Sequence, residues 1–279
     1  MPQVAGVQAW YDNITMGYSP PTLDIIKSSS ASVAQLEDGS WHLEIPSAGR
    51  LGYRLAELDD HGSRRRENFP WVPPLSLSLQ ARVSAQGLPG TWGFGWWNDP
   101  FSFMLAYNKV VPRLPTLPQA AWFFHASPQN YLSFVDDQPA AGFLAATFHS
   151  QKVPLALLAL SSPVLALALL PKTAQLVRWL FRKVVRQAAT LIHTVETEWH
   201  TYRLQWEPDH VSFHLDEILL LETEIVPYAP LSLVIWVDNQ YAALPPSGRL
   251  KFGTQPNPEP AWLEIRDIIV TDLSLHEVT

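Results

Sequence analysis

The sequence predicts an all-β fold, a jelly-roll sandwich of two antiparallel sheets, interrupted once by a helical insert. Two observations carry the prediction. Short runs that are apolar or alternate at period two recur between clusters of turn residues. The 279 residues also include 12 Trp and 25 Pro, and such contents suit pleated surfaces, edge strands and turns better than helical bundles. A third observation, the uncharged then basic stretch at 153–195, marks the interruption.

The strands follow in order. Trp41-His42-Leu43-Glu44-Ile45 alternates and follows the turn Glu37-Asp38-Gly39-Ser40. The run from Leu75 to Val83 keeps strict period two, which places its leucines on one face. Gln86 to Gly90 turns the chain into Thr91 to Trp97. Further strands are expected at Phe101 to Tyr107, Ala120 to His125, Tyr131 to Val135 and Phe143 to His149. After the insert come Thr201 to Trp206, Val211 to Leu215, Ile218 to Glu222, Leu231 to Val237 and Leu263 to Asp272. This density of strands, with no internal repeat, reads as one sandwich domain over 1–279.

The insert opens with VPLALLALSSPVLALALLP, which holds no charge. In the following TAQLVRWLFRKVVRQAATLIH, Leu176, Leu180, Val184, Ala188 and Leu191 recur at helical spacing, and Arg178, Arg182 and Arg186 form a second row beside Trp179 and Lys183. A helical hairpin is expected over 153–195. Its apolar run approaches the length of about 20 residues that a bilayer needs, but Pro163 breaks it. Two flanks in one sandwich would also return both ends to the same side of a membrane. The hairpin would then pack on its own domain, join a second copy, cover a cleft as a hydrophobic lid, or lie on a membrane surface through Arg178, Trp179, Arg182, Lys183 and Arg186.

Composition excludes several classes. A formal charge of −7 opposes nucleic-acid binding, which needs a basic field. The absence of cysteine removes disulfides and thiolate metal sites. The first residues lack a basic segment followed by an apolar one, so a cytoplasmic or peripheral-membrane location is expected.

One stretch carries a family resemblance. Trp199-His200-Thr201-Tyr202-Arg203-Leu204-Gln205-Trp206-Glu207-Pro208-Asp209, followed by Val211 to Glu217, resembles a segment of the family-sixteen glycoside hydrolases, the laminarinase-like members of the concanavalin A-like sandwiches. Leu79 to Val83 with Gly90 to Trp97, and Trp262 to Val270 at the end, are similar to that family's earlier and closing strands. The resemblance implies that Gln119 to His125 takes the place of the strand that presents the family's catalytic acids. Retaining hydrolysis needs two carboxyl groups about 5 Å apart, and this segment holds none. The resemblance therefore implies the fold without the family's chemistry. For Asp267 it implies a place in a structural calcium site that some members carry; no other cofactor is evident.

Trp96, Trp97, Trp122 and Trp236 fall on strands that line the family's cleft, as ligand-stacking side chains or as core. His125 and His149 would be hydrogen-bond donors, proton carriers or metal ligands if they share that cleft. Asn239, with Asp238, would supply polar contacts at its rim or form a turn. The pairs Asp59-Asp60 and Asp136-Asp137 and the run Arg64-Arg65-Arg66 read as solvated loops. Three functions stay open: a non-hydrolytic protein for a hydrophobic or amphiphilic ligand at a membrane surface, a lectin-like glycan binder, and an enzyme of other chemistry using a cleft histidine. The expected partners are a small-molecule, lipid-like or glycan ligand, and a membrane or second subunit through 153–195.

Overall fold

Period-two alternation becomes sheet wherever one face can be buried. In the computed structural model of the chain, which describes residues 22–49, 52–100, 113, 116–152, 171–246 and 250–276, it does so sixteen times. The first strands are β1 (Asp24–Lys27), β2 (Ser32–Gln35), β3 (Trp41–Ile45) and β4 (Leu55–Asp59). Next come β5 (Leu75–Val83), β6 (Thr91–Trp97), β7 (Ala120–Ala126) and β8 (Gly142–Ser150). Helix α1 (Pro171–Val184) runs directly into β9 (Val185–Leu191). Then follow β10 (His200–Trp206), β11 (Val211–Leu215), β12 (Ile218–Thr223) and β13 (Ser232–Asp238). The last are β14 (Gln240–Ala243), β15 (Lys251–Thr254) and β16 (Ala261–Asp272).

Two seven-stranded sheets result. Sheet I has the order β1-β4-β13-β6-β7-β8-β9, and sheet II the order β12-β11-β10-β5-β16-β3-β2. Strands distant in sequence lie side by side, as in a jelly roll. The main core fills the space between the sheets. Phe94 and Phe123 of sheet I meet Tyr202 of sheet II at ring separations of 5.1 Å each, and Trp96 meets Trp206 at 5.6 Å. Tyr202 and Trp206 share one face of β10, as their spacing requires, and both are buried. Asp216 and Glu217 both take positive φ between β11 and β12, the backbone of a tight hairpin turn. The Asp216 carboxylate holds that turn by accepting the Thr201 amide at 2.9 Å.

Two expected elements differ. Tyr131 to Val135 is a loop with a single bridge from Tyr131 to Ala243, not a strand; its Leu132 and Phe134 pack down onto sheet I. The insert is not a helical hairpin among the described residues: α1 ends at Val184, and Ala188 and Leu191 lie on β9, which pairs with β8 from Ser150↔Val185 to Leu144↔Leu191. The helix is also turned over relative to the expected stripe. Leu176 and Leu180 are exposed, while Ala174, Val177 and Arg178 are buried. Arg178 is drawn inward because the loop beneath offers acceptors: its Nη1 donates to Ser133 O at 2.6 Å and Leu244 O at 2.8 Å, and its Nη2 to Asp136 Oδ1 at 2.6 Å. Among the described residues no helix is long and apolar enough to cross a membrane. The expected strand at Phe101 to Tyr107 and the apolar run at 153–170 lie outside the described residues.

Candidate functional site

The face of sheet I turned away from sheet II is the place where side chains can meet a ligand. Alternation decides what reaches it. On β7 the odd positions Ala121 and Phe123 enter the main core, so Ala120, Trp122, Phe124 and Ala126 face outward. On β6 the outward set is Thr91, Gly93, Gly95 and Trp97, because Trp92, Phe94 and Trp96 are core. Trp236 and Asp238 of β13 and Glu57 and Asp59 of β4 complete the surface by register, with Trp236 opposite Gly93 on one side and Glu57 on the other.

The two glycines shape this face. A Cβ at Gly93 would sit 2.8 Å from Trp236 Cη2 and 2.4 Å from Phe123 O; one at Gly95 would sit 2.6 Å from Trp122 Cβ. Only hydrogen fits at either position: at Gly93 the Trp236 indole closes over β6, and at Gly95 the neighbouring strand approaches through the Trp122 Cα and Cβ. Their rings lie 5.4 Å apart, and Trp97 is within 6.0 Å of one and 6.5 Å of the other. Trp97 is buried, whereas Trp122 and Trp236 are half-buried. Trp236 is also fixed in azimuth: Nε1 donates to Thr91 Oγ1 at 2.9 Å, and that hydroxyl donates to Asp238 Oδ1 at 2.8 Å.

Carboxyl groups flank the aromatic strip. Asp238 accepts from Thr91, from the Gln240 amide and from Tyr53 Oη at 3.3 Å, yet its burial pushes its pKa up to about 7. The Tyr53 phenol is itself raised, by burial first and then by the Asp238 charge. On the other side Glu57, Asp59 and His61 offer ligand atoms within 4.8 Å of one another, and all three are buried. His61 Nε2 lies 3.2 Å from Asp59 Oδ2 and 3.8 Å from Asp99 Oδ2, and Arg113 donates to Asp99 at 2.8 Å. Two carboxylates and an imidazole form a donor set that a divalent cation accepts. Glu207, Asp209 and His210 form a second such group on the β10–β11 turn. There the Asp209 hydrogen bond is the leading cause of a raised His210 pKa.

The rest of the outer face is closed. Leu132 and Phe134 from the loop and Phe181 and Val184 from α1 pack against Phe124, Leu144, Ala146, Phe148 and Val185. Phe134 and Phe181 stack at 5.1 Å.

Several expected site residues lie elsewhere. Trp96 is a core side chain, because Trp97 takes the outward position. His125 has inward parity: it stacks on Trp92 at 5.8 Å, and Nε2 donates to Leu88 O at 3.2 Å. Burial lowers its pKa to about 4. His149 also points away from the strip, with Nδ1 donating to Val226 O at 2.5 Å and its ring against Tyr228, so the two histidines do not share a cleft. Asn239 is buried and clamps the turn, accepting the Arg54 amide and donating to Gly52 O and Gln255 O. Asp267 sits at a bulge of β16 with positive φ, accepts from Gln80, and joins neither metal-capable group. Of the expected membrane-facing set, Arg178 is buried, whereas Trp179, Arg182, Lys183 and Arg186 are exposed, with Arg182 paired to Asp136 at 2.7 Å.

Glu57 carries no signal of its own in the sequence, and Asp59-Asp60, expected as a solvated pair, is buried. Both aspartates are buried on opposite faces of their strand end, and Asp60 accepts from Trp71 Nε1 and the Leu233 amide. The signal for the strip was present in Thr91-Trp92-Gly93-Phe94-Gly95-Trp96-Trp97, where glycine and aromatic residues alternate.

No family model and no curated protein sequence matches the chain. Solved β-sandwich glycoside hydrolases are similar to it. A laminarinase from Flavobacterium sp. UMI-01 matches at 13% identity over 88% of this chain and 82% of its own, with a TM-score of 0.43. A family-16 endo-glucanase from Bacteroides ovatus matches at 9% identity over 86% and 85%, with a TM-score of 0.45. A GlcNAcα1-4Gal-releasing endo-β-galactosidase from Clostridium perfringens matches at 10% identity over 88% of this chain, which spans 55% of that protein, with a TM-score of 0.40. The likeness concerns the sandwich alone, and no site residue is carried across it.

Proposed function

We propose that this chain is a carbohydrate-binding, lectin-like protein that seats a glycan on Trp122 and Trp236 without cleaving it. The observation that carries the reading is the pair of half-buried indoles on the outer face of sheet I, Trp236 over Gly93 and Trp122 with its ring 5.4 Å away. A sugar ring offers an apolar face of axial C–H groups and a rim of hydroxyls. A fixed indole meets the first; Asp238 is buried and acts through Thr91, whose hydroxyl holds the Trp236 indole in place. An amphiphilic ligand finds less apolar surface here, because the loop and α1 already cover the β8–β9 half of the face.

Strand β7 presents Ala120, Trp122, Phe124 and Ala126 outward and no acid, which supports binding without hydrolysis. Glu57 and Asp59 bring carboxyl oxygens within 4.8 Å, but both are buried and lie on one strand rather than across a groove. A panel of neutral β-glucan and galactan oligosaccharides tests the reading. Binding by the wild type, weakened about tenfold or more by Trp236→Ala, with no release of reducing ends, is expected. Silence across the panel overturns the glycan seat. Reducing-end release abolished by Glu57→Gln overturns the non-hydrolytic part.

A further inference from the structure

One residue beyond Trp97, where β6 ends and β7 begins, a depression of about 250 Å3 opens at the end of sheet I. It is smaller than most ligand pockets and suits a single ring or a small charged group. Its wall is braced by side-chain amides. Asn98 accepts the Gln119 amide at 3.0 Å and donates to Leu117 O at 2.9 Å. Gln119 donates to Ser150 O at 2.5 Å and accepts the Tyr228 amide at 2.9 Å. These amides are engaged with main chain, so they fix the shape and leave recognition to the charged rim.

That rim is basic on a chain of net charge −7. Arg66 is held against the wall, its Nε donating to Asn98 O and its Nη2 to Asp99 O, each at 2.6 Å. Lys152 stands on the other side with Nζ 4.9 Å from the Tyr228 ring centre. Glu67 also borders the depression, but its side chain is 70% exposed and lies 3.7 Å from Arg65. Burial lowers the pKa of Arg66 and the nearby Asp99 charge counters this only in part; a further anion beside it offsets more of that cost.

We propose that this depression binds an anionic substituent of the glycan, a carboxylate or a sulfate, between Arg66 and Lys152. Both groups present oxygens that a guanidinium pairs with and an ammonium attracts. The inference rests on the glycan reading, since β6 runs from Gly93 opposite Trp236 to the end of sheet I where Asn98 borders the depression.

Calorimetric titration with laminarihexaose, a tetragalacturonate and a sulfated galactan oligosaccharide tests it on the wild type, Lys152→Glu and Trp236→Ala. The expected result is that one anionic probe binds about tenfold tighter than the neutral one. Lys152→Glu removes that advantage and keeps neutral binding, added salt shrinks it, and the anionic probe preferred tells carboxylate from sulfate. Equal affinity for all three probes, or an anionic preference that survives Lys152→Glu, overturns the inference. Neutral binding lost in Trp236→Ala with no anionic preference leaves the aromatic seat standing and removes the pocket. Anionic binding lost in Lys152→Glu but unchanged in Trp236→Ala does the reverse. No binding by any probe overturns both.

Discussion

Replacing Arg178 with methionine should destabilise the protein by about 2–6 kcal/mol. The side chain is 4% exposed and feeds two carbonyl oxygens, those of Ser133 and Leu244. Methionine keeps much of the volume but leaves both acceptors buried in a place water does not reach. Each orphaned group costs about 1–3 kcal/mol, which gives the range. Nothing is added for Asp136, because its side chain is 45% exposed and water replaces the lost partner. The neighbouring Arg182→Met removes only the exposed pair and should stay within about 0.5 kcal/mol of wild type. Urea unfolding of both variants, compared at constant slope, measures the difference. A cost below about 1 kcal/mol for Arg178→Met, or equal costs for the two, would refute the docking of α1 through a buried guanidinium.

Three further outcomes are expected. Asp60, Asp238 and Glu196 have pKa values pushed up to about 7 by burial, from ordinary values of 3.8, 3.8 and 4.5. The folded state thus binds these protons more tightly than the unfolded chain. Their contribution is complete below about pH 4 and is lost as pH rises through about 7. Unfolding free energy should fall from pH 5 to pH 7 and fall less steeply in Asp238→Asn; a rise over that interval would contradict the burial assigned to them. Gly93→Ala should cost about 1–3 kcal/mol through overpacking and shift tryptophan emission, because its methyl must displace both the Trp236 ring and the Phe123 carbonyl; unchanged stability and emission would show that the indole does not rest there. His125→Phe should leave glycan affinity unchanged, since the ring stacks on Trp92 in the core; a loss confined to affinity would place it in the site.

How much of this was legible in the sequence depends on which question the residues could answer. The limits of β3, β5, β6 and β11 match the alternating runs, because one buried face imposes period two on the local sequence. The orientation of α1 was not legible. Its helical spacing marks Leu176 and Leu180 as the inward stripe, and only the carbonyls of Ser133 and Leu244, distant in sequence, make Arg178 the better inward residue. Val185 to Leu191 was read as more helix because alanine and leucine fit both periods; pairing with β8 decides it. In the site, adjacent Trp96 and Trp97 had to face opposite ways, but sequence could not say which. Register with β13 and β7 settles that. Glu57 and Asp59 alternate correctly for one face, yet Asp59 is closed over by His61 beside it together with Asp99 and Arg113 arriving from other segments.

Indole N–H resonances give the most direct test of the aromatic seat. In a 15N-labelled sample titrated with laminarihexaose and galactan oligosaccharides, the Nε1–H signals of Trp122 and Trp236, assigned by Trp→Phe substitution, should move and saturate together. Those of the core residues Trp92, Trp96 and Trp206 should stay in place. Shifts confined to Trp179 on α1, or none for any probe, would contradict the assignment of this face to glycan.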